Sequence, residues 1–215
     1  MSPLSPLAAI RGTLETSLEG TRDAKQLEAI ASSIEELDRL ADFLNTSLDV
    51  AEARASALRL KPVEIDLDEL LRSMVMLYEP SMSEKGLAIS LRSNGPVRTI
   101  ADERLIHRMI ANLFDNELKH LAPGRAISVQ LSEQDDAIVL CIEDNEAGFD
   151  QELLAHLFVR RVRGRESHGH GLGLAFVDAA VRAHHGSERA SSGLGRGIRI
   201  DVMLPLQMKK EVLVG

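Results

Sequence analysis

"HGHGLGLAFV", His168 to Val177, sets three glycines at alternate positions and then turns apolar. Alternate glycines let a backbone pass close to a ligand, because no Cβ stands in the way. The continuation "LGLAFVDAAVRAHHG" carries Leu172, Phe176, Ala180 and Ala183 at helical spacing and stops at Gly186. A glycine loop that opens a helix points free N–H groups and the positive end of the helix dipole at one place, which suits an anion. By itself the stretch reads equally as a supple turn ahead of a helix. The choice falls to the rest of the chain.

Composition sets the outer bounds. The 215 residues are 44% hydrophobic and 27% charged, ordinary for a globular protein, but only 3% aromatic with no Trp, so the core is expected to be aliphatic. Lys plus Arg number 25 against 33 Asp plus Glu, a net charge of −8 that argues against general nucleic-acid binding. The single cysteine, Cys141, lies in "AIVLCI" and reads as a buried, reduced thiol, which fits a cytoplasmic setting. No apolar run approaches the ~20 residues that span a bilayer. "MSPLSPLAAI" has neither the basic start nor the apolar core of a signal peptide.

Two periodicities divide the chain. Leu27, Ile30, Ile34, Leu37, Ala41, Leu44, Leu48 and Ala51 advance in steps of three and four, and Leu7, Ile10, Leu14 and Leu18 form a shorter stripe of the same kind. "LEGTRDAK" is a polar turn between them, with Asp23 and Gln26 marking a helix start. Residues 1–60 therefore read as a helical hairpin. Two amphipathic helices cannot enclose their own stripes, so the hairpin is expected to pair with a second copy as a dimeric four-helix bundle. The alternative is a hairpin packed on the rest of its own chain.

After "SALRLKP" the pattern changes. "VEIDL" and "LAISLRS" alternate, "DELLRSMVMLYEPSMSEKG" is helical, and "DERLIHRMIANLFDNELKHLAPG" is an amphipathic helix ended by Pro123 and Gly124. "AISVQL" and "AIVLCIED" read as strands around an "EQDD" turn, and "GIRIDVMLP" as a late strand. The chain is thus expected to be α+β: the hairpin, then over residues 61–215 a two-layer α/β sandwich with mainly antiparallel strands.

The helix with chemistry is the one containing "NLFDNELKH". At 100° per residue Asn112, Asn116 and Lys119 fall within about 60° of one another, while Ile106, Ile110 and Leu113 occupy a neighbouring arc that faces the sheet. Two amides and an ammonium on one stripe suit a polyphosphate with its metal, since amide oxygens are acceptable ligands for Mg²⁺ and a lysine offers a point charge. The plainer alternative is a solvated polar face. Asp144, directly after a strand in "EDNEAGFD", can accept a hydrogen bond from an amino group such as adenine's, or can serve only as a turn cap.

Taken in order, these motifs resemble the catalytic core of sensor histidine kinases, within the GHKL (Bergerat-type) ATPase superfamily. Asn112, Asn116 and Lys119 match that family's N box; Asp144 and Gly148 match its first glycine box; "LFVRRVRG" matches part of its phenylalanine box; Gly169, Gly171 and Gly173 match its second glycine box. "GLGRGIRIDVMLP" is similar to its last glycine-and-strand segment, and "SPLAAIRGTLE" looks like the tail of its histidine box. The resemblance implies that ATP and Mg²⁺ are the cofactors, with Asn116 and Asn112 at the metal and Lys119 at phosphate or ribose. It implies that Asp144 reads the adenine amino group and that Gly148, Gly169, Gly171, Leu172 and Gly173 complete the nucleotide site. It further implies phosphoryl transfer to a histidine, a homodimer through the hairpin, a response-regulator receiver domain as partner, and the cytoplasmic portion of a kinase that can be membrane-anchored.

Four positions depart from the family pattern. The phosphoacceptor histidine falls on Met1, and no hairpin residue is histidine. Glu146 stands where the first glycine box has a glycine, and is expected to repel phosphates. Glu117 replaces a small residue and falls on the core-facing arc, so it must find a partner, neutralise or twist outward. Arg161 occupies an aromatic position of the phenylalanine box. These departures leave open a second reading, a degenerate pseudokinase that docks a response regulator with weak or no ATP binding.

Overall fold

A computed structural model of the protein describes residues 5–20, 25–34, 37, 40, 44, 47, 51, 60–146, 158, 173–193 and 196–206. The chain divides into two compact units, Met1–Asp49 and Val50–Gly215. Among the described residues no helix is long and apolar enough to cross a membrane.

The first unit holds α1 (Ser5–Gly20) and α2 (residues 25–34), and the described positions 37, 40, 44 and 47 are also helical. This is the secondary structure that three-and-four spacing predicts. Its described side chains are half-buried or exposed, none buried, with Ile10 and Leu44 both exposed. Of the described stripe positions, Leu14, Leu27, Ile30, Ile34 and Leu37 are half-buried.

The second unit runs β1 (Val63–Asp66), α3 (Leu67–Glu84), β2 (Ala88–Ser93), β3 (Arg98–Ala101), α4 (Glu103–His120), β4 (Ala126–Gln134), β5 (Ala137–Asp144), α5 (Gly173–Ala183), β6 (Ser187–Gly193) and β7 (Arg196–Pro205). Five strands form one sheet in the order β2-β4-β5-β7-β6, and β1 pairs with β3 in a separate ribbon. Among the described strands only β2 and β4 are parallel, joined by the crossover that contains α4.

The layers follow from alternation. Val129 lies opposite Ile142 and Leu131 opposite Leu140, while β7 adds Ile200 and Val202 beside them. All are buried in one core with Leu71 and Met74 of α3, Ile106, Ile110 and Leu113 of α4, and Phe176 and Val181 of α5. The other sheet face is polar: Arg199 pairs with Asp201 at 2.8 Å and with Glu143 at 3.6 Å. Cys141 is buried there, and burial pushes its thiol up to about 12, which keeps it protonated and inert.

Sequence periodicity did not reveal β3 or β6. β3, "RTIA", shows no alternation of apolar and polar residues, and "SERASSG" of β6 is a polar edge strand held by β7 alone. Strand β4 also runs further than "AISVQL", with the reversal at Asp135, whose φ is 53°.

Capping ties the helices to the frame. Asp66 accepts from the N–H groups of Asp68 and Glu69 at the start of α3. Asp102 caps α4 through Leu105 N–H at 3.1 Å, and its other oxygen accepts Lys61 N–H at 2.9 Å. Its own N–H donates to Nε2 of His184 at 3.0 Å, while Nδ1 of His184 donates to the Ala180 carbonyl at 2.7 Å. His184 is therefore neutral, with its tautomer set by two backbone partners.

Burial lowers the pKa of His184 below the ordinary histidine value. The unfolded chain then binds a proton that the folded chain refuses, so stability falls as pH drops through about 6.5. His184→Ala is expected to cost about 2–4 kcal/mol in urea unfolding, since it leaves a cavity and the buried Asp102 N–H unpaired, and to remove that acid-side slope. Unfolding midpoints between pH 5 and 8 for the two proteins check both points.

Candidate functional site

The asparagine stripe survives folding as expected. Asn112 and Asn116 are half-buried and Lys119 is exposed, while Ile106 and Ile110 on the neighbouring arc are fully buried. Asn112 Nδ2 donates to the Arg108 carbonyl at 2.9 Å, one turn earlier on α4. The amide oxygen is thereby the atom left to present.

That oxygen meets the glycine stretch. A Cβ built on Gly173 would stand 2.9 Å from Asn112 Oδ1, so a side chain at the first residue of α5 would displace the Asn112 amide. The last of the predicted glycines thus lies beside the first predicted asparagine.

Asp144 closes the other end. The β5–β7 ladder stops at Glu143 opposite Arg199, and the Asp144 carboxylate takes over: one oxygen accepts Ile198 N–H at 2.9 Å, the other Glu146 N–H at 2.7 Å. A Cβ on Gly197 would overlap this carboxylate, so Gly197 is what lets β7 pass. Sequence reading saw Gly197 only as part of a glycine-rich strand start. The signal was there, a glycine one residue before an alternating run.

The two unexpected carboxylates resolve differently. Glu117 stays on the core-facing arc, 5% exposed. Burial first, and then the charge of Asp144, push its pKa up to about 8, so it is neutral at pH 7. Of the three outcomes open to it, neutralisation is the one adopted.

Glu146 corrects the expectation that it faces phosphate. Its carboxylate pairs with Arg125 at 3.0 Å and accepts Ala122 N–H at 3.2 Å. Neighbouring Asn145 reinforces the clasp, accepting Ala126 N–H on its side chain and Arg125 on its carbonyl. The glutamate staples the loop after β5 to the connection between α4 and β4. Arg125 was not singled out from sequence, because nothing local links it to Glu146.

Gly148, Gly169, Gly171, Leu172, Arg161 and Met1 lie outside the described residues. Of the phenylalanine-box stretch, Phe158 is described and packs half-buried against the core.

The donor set fits a hard cation shared with phosphate. Asn112 and Asn116 offer amide oxygens, and among the described residues no three His, Cys, Asp or Glu converge to hold a metal by themselves. Such an ion would draw its remaining ligands from phosphate and water, the usual habit of Mg²⁺.

Comparison with known proteins identifies relatives of the chain and of its fold. The family model described as "Histidine kinase-, DNA gyrase B-, and HSP90-like ATPase" matches residues 101–208. The signal transduction histidine-protein kinase BaeS of Escherichia coli (strain K12) is 27% identical over 97% of this chain and 46% of its own. The probable sensor kinase SilS of Salmonella typhimurium is 32% identical over 87% of this chain and 40% of its own. Full-length ShkA, solved in complex with AMPPNP, superposes with a TM-score of 0.77 at 25% identity, covering 95% of this chain and 46% of that one. The chain spans less than half the length of these proteins.

Glu117 gives a pH signature. Its folded pKa lies above the unfolded value, so the stability of the protonated form is fully present below about pH 4.5 and is lost as pH rises through about 8. Glu117→Gln is expected to flatten this part of the stability curve, whose slope reaches at most about 1.4 kcal/mol per pH unit. The mutant should therefore exceed wild type in urea midpoint at pH 9, with the gap closing toward pH 5.

Proposed function

The chain belongs to the histidine kinase-, DNA gyrase B- and HSP90-like ATPase family, and on that premise we propose that it is the catalytic core of a sensor histidine kinase in a two-component system. It binds Mg·ATP for phosphoryl transfer to a histidine and signals to a response-regulator receiver domain. The observation that carries the reading is the approach of Asn112 Oδ1 to Gly173, which puts a hard oxygen at the N-terminus of α5.

In this reading Asn116 and Asn112 hold Mg²⁺, which when bound neutralises and orients the phosphates. Lys119 adds charge at phosphate or ribose. Asp144, held by two backbone N–H groups, accepts the adenine amino group. Gly148, Gly169, Gly171, Leu172 and Gly173 wall the phosphate side. Phosphoryl transfer needs little covalent help from the protein, so positioning and charge neutralisation carry the catalysis. Residues 1–60 form the dimerisation hairpin and residues 61–215 the ATP-binding domain. The acceptor histidine is assigned to no residue of this chain.

The degenerate-module reading rested on Glu146, Glu117 and Arg161. Glu146 is paired with Arg125 and Glu117 is neutral near pH 7, which weakens the case that these carboxylates oppose phosphate. The kinase reading is the better supported.

Titration calorimetry tests it. Wild type should bind ATP in a magnesium-dependent manner and Asn116→Ala should not; equal affinities would remove Asn116 from the site. For the hairpin, Leu37→Glu with Leu44→Glu should convert a dimer to monomers, because each buried leucine contributes roughly 1.5–3 kcal/mol. Light scattering that finds wild type monomeric at micromolar concentration would overturn the bundle.

A further inference from the structure

Helices α4 and α5 lie antiparallel in a single register, marked by three contacts. Asp102 N–H meets His184 at one end, Asn112 meets Gly173 at the other, and between them the Arg108 guanidinium lies 4.6 Å from the centre of the Phe176 ring. Phe176 is fully buried and Arg108 half-buried, so the ring is a fixed floor under the guanidinium. A guanidinium stacked on an aromatic face keeps its plane and its forked donors while losing little further freedom on binding an anion.

Arg108 also continues the functional stripe. Four residues advance a helix by about 40° and ~6 Å, so Arg108 stands one turn beyond Asn112 on nearly the same face. The direction of the site is set by its ends. Asp144 is at the Glu117 end of the stripe, where its charge is felt, and Gly173 is at the Asn112 end. A nucleotide with its base at Asp144 therefore runs its phosphates toward the start of α4, past Asn116 and Asn112. The next group in line is Arg108. Lys119 lies eleven residues away, ~16 Å along the helix, and cannot serve the same phosphate.

We infer that Arg108, held on the Phe176 ring, contacts the terminal phosphate of the bound nucleoside triphosphate and makes the site prefer triphosphate to diphosphate. The inference rests on the nucleotide-binding reading above and adds to it a residue outside the motifs that carried that reading. Arg108 has a second part in the same design, since its carbonyl accepts Asn112 Nδ2 and so aims the amide oxygen.

The test is calorimetric titration of Mg·ATP and Mg·ADP into wild type, Arg108→Gln, Arg108→Lys and Phe176→Leu. Loss of a charge-assisted contact predicts that Arg108→Gln weakens ATP roughly ten- to a hundredfold and ADP less than about twofold. Phe176→Leu keeps the charge and removes the floor, so its ATP-to-ADP preference should fall by about threefold, with Arg108→Lys between the two. Retained ADP affinity doubles as the check that each variant is folded. Equal losses for both nucleotides, or none, in Arg108→Gln would overturn the inference while leaving the nucleotide site standing. Wild type that binds neither nucleotide would overturn the underlying reading and the inference with it. Should Arg108→Gln fail to fold, an unchanged preference in Arg108→Lys and Phe176→Leu overturns it equally.

Discussion

The antiparallel lock between α4 and α5 is the constraint on which the site depends. Its ends are polar and specific: a backbone N–H given to a buried histidine, and an amide oxygen set against a glycine. Between them the apolar faces of both helices pack against one side of the sheet. Apolar packing tolerates sliding by a fraction of a turn; the buried hydrogen bond at one end does not, because a shift would leave the Asp102 N–H unpaired. Asn112 thus lies against the start of α5.

The sheet supplies the second fixed point. Asp144 ends β5, and its carboxylate is used up on the backbone side by Ile198 and Glu146 N–H groups, which sets its orientation before any ligand arrives. Glu146 then anchors the following loop on Arg125. A half-exposed ion pair of this kind contributes little to stability, on the order of 0–1 kcal/mol, so its effect is geometric. It draws a carboxylate toward the connection after α4.

Legibility in the sequence tracked the range of the interactions. Helix α4 was readable because 18 residues of one period leave no other assignment, and its polar and apolar arcs came out as the helical angles required. Strands β4, β5 and β7 were readable from alternation. The short β3 and polar β6 were not, since each owes its strand character to a neighbour rather than to its own side chains. The same division holds in the site. Asn112, Asn116 and Asp144 announce themselves locally, whereas the Arg125–Glu146 clasp and the Arg108–Phe176 contact join separate segments and appear only in three dimensions. Glu117 was legible as a problem and not as a solution. Its helical angle showed the burial, but proximity to Asp144, which decides its protonation, required the fold.

That protonation gives the site an electrical direction. At the Asp144 end a second carboxylate, if ionised, would double the negative charge beside the first. Held neutral by burial, Glu117 leaves a single acceptor there, suited to the uncharged base of a nucleotide. At the far end stand the Arg108 cation and the N-terminus of α5, both attractive to anions. The gradient therefore runs from acceptor to cation along about two and a half turns of α4, the same sense as the gradient from base to terminal phosphate in a nucleotide. An ionised Glu117 would oppose that gradient only weakly at the phosphate end, where distance and solvent screen it, and strongly at the base end. Its neutrality matters most beside Asp144.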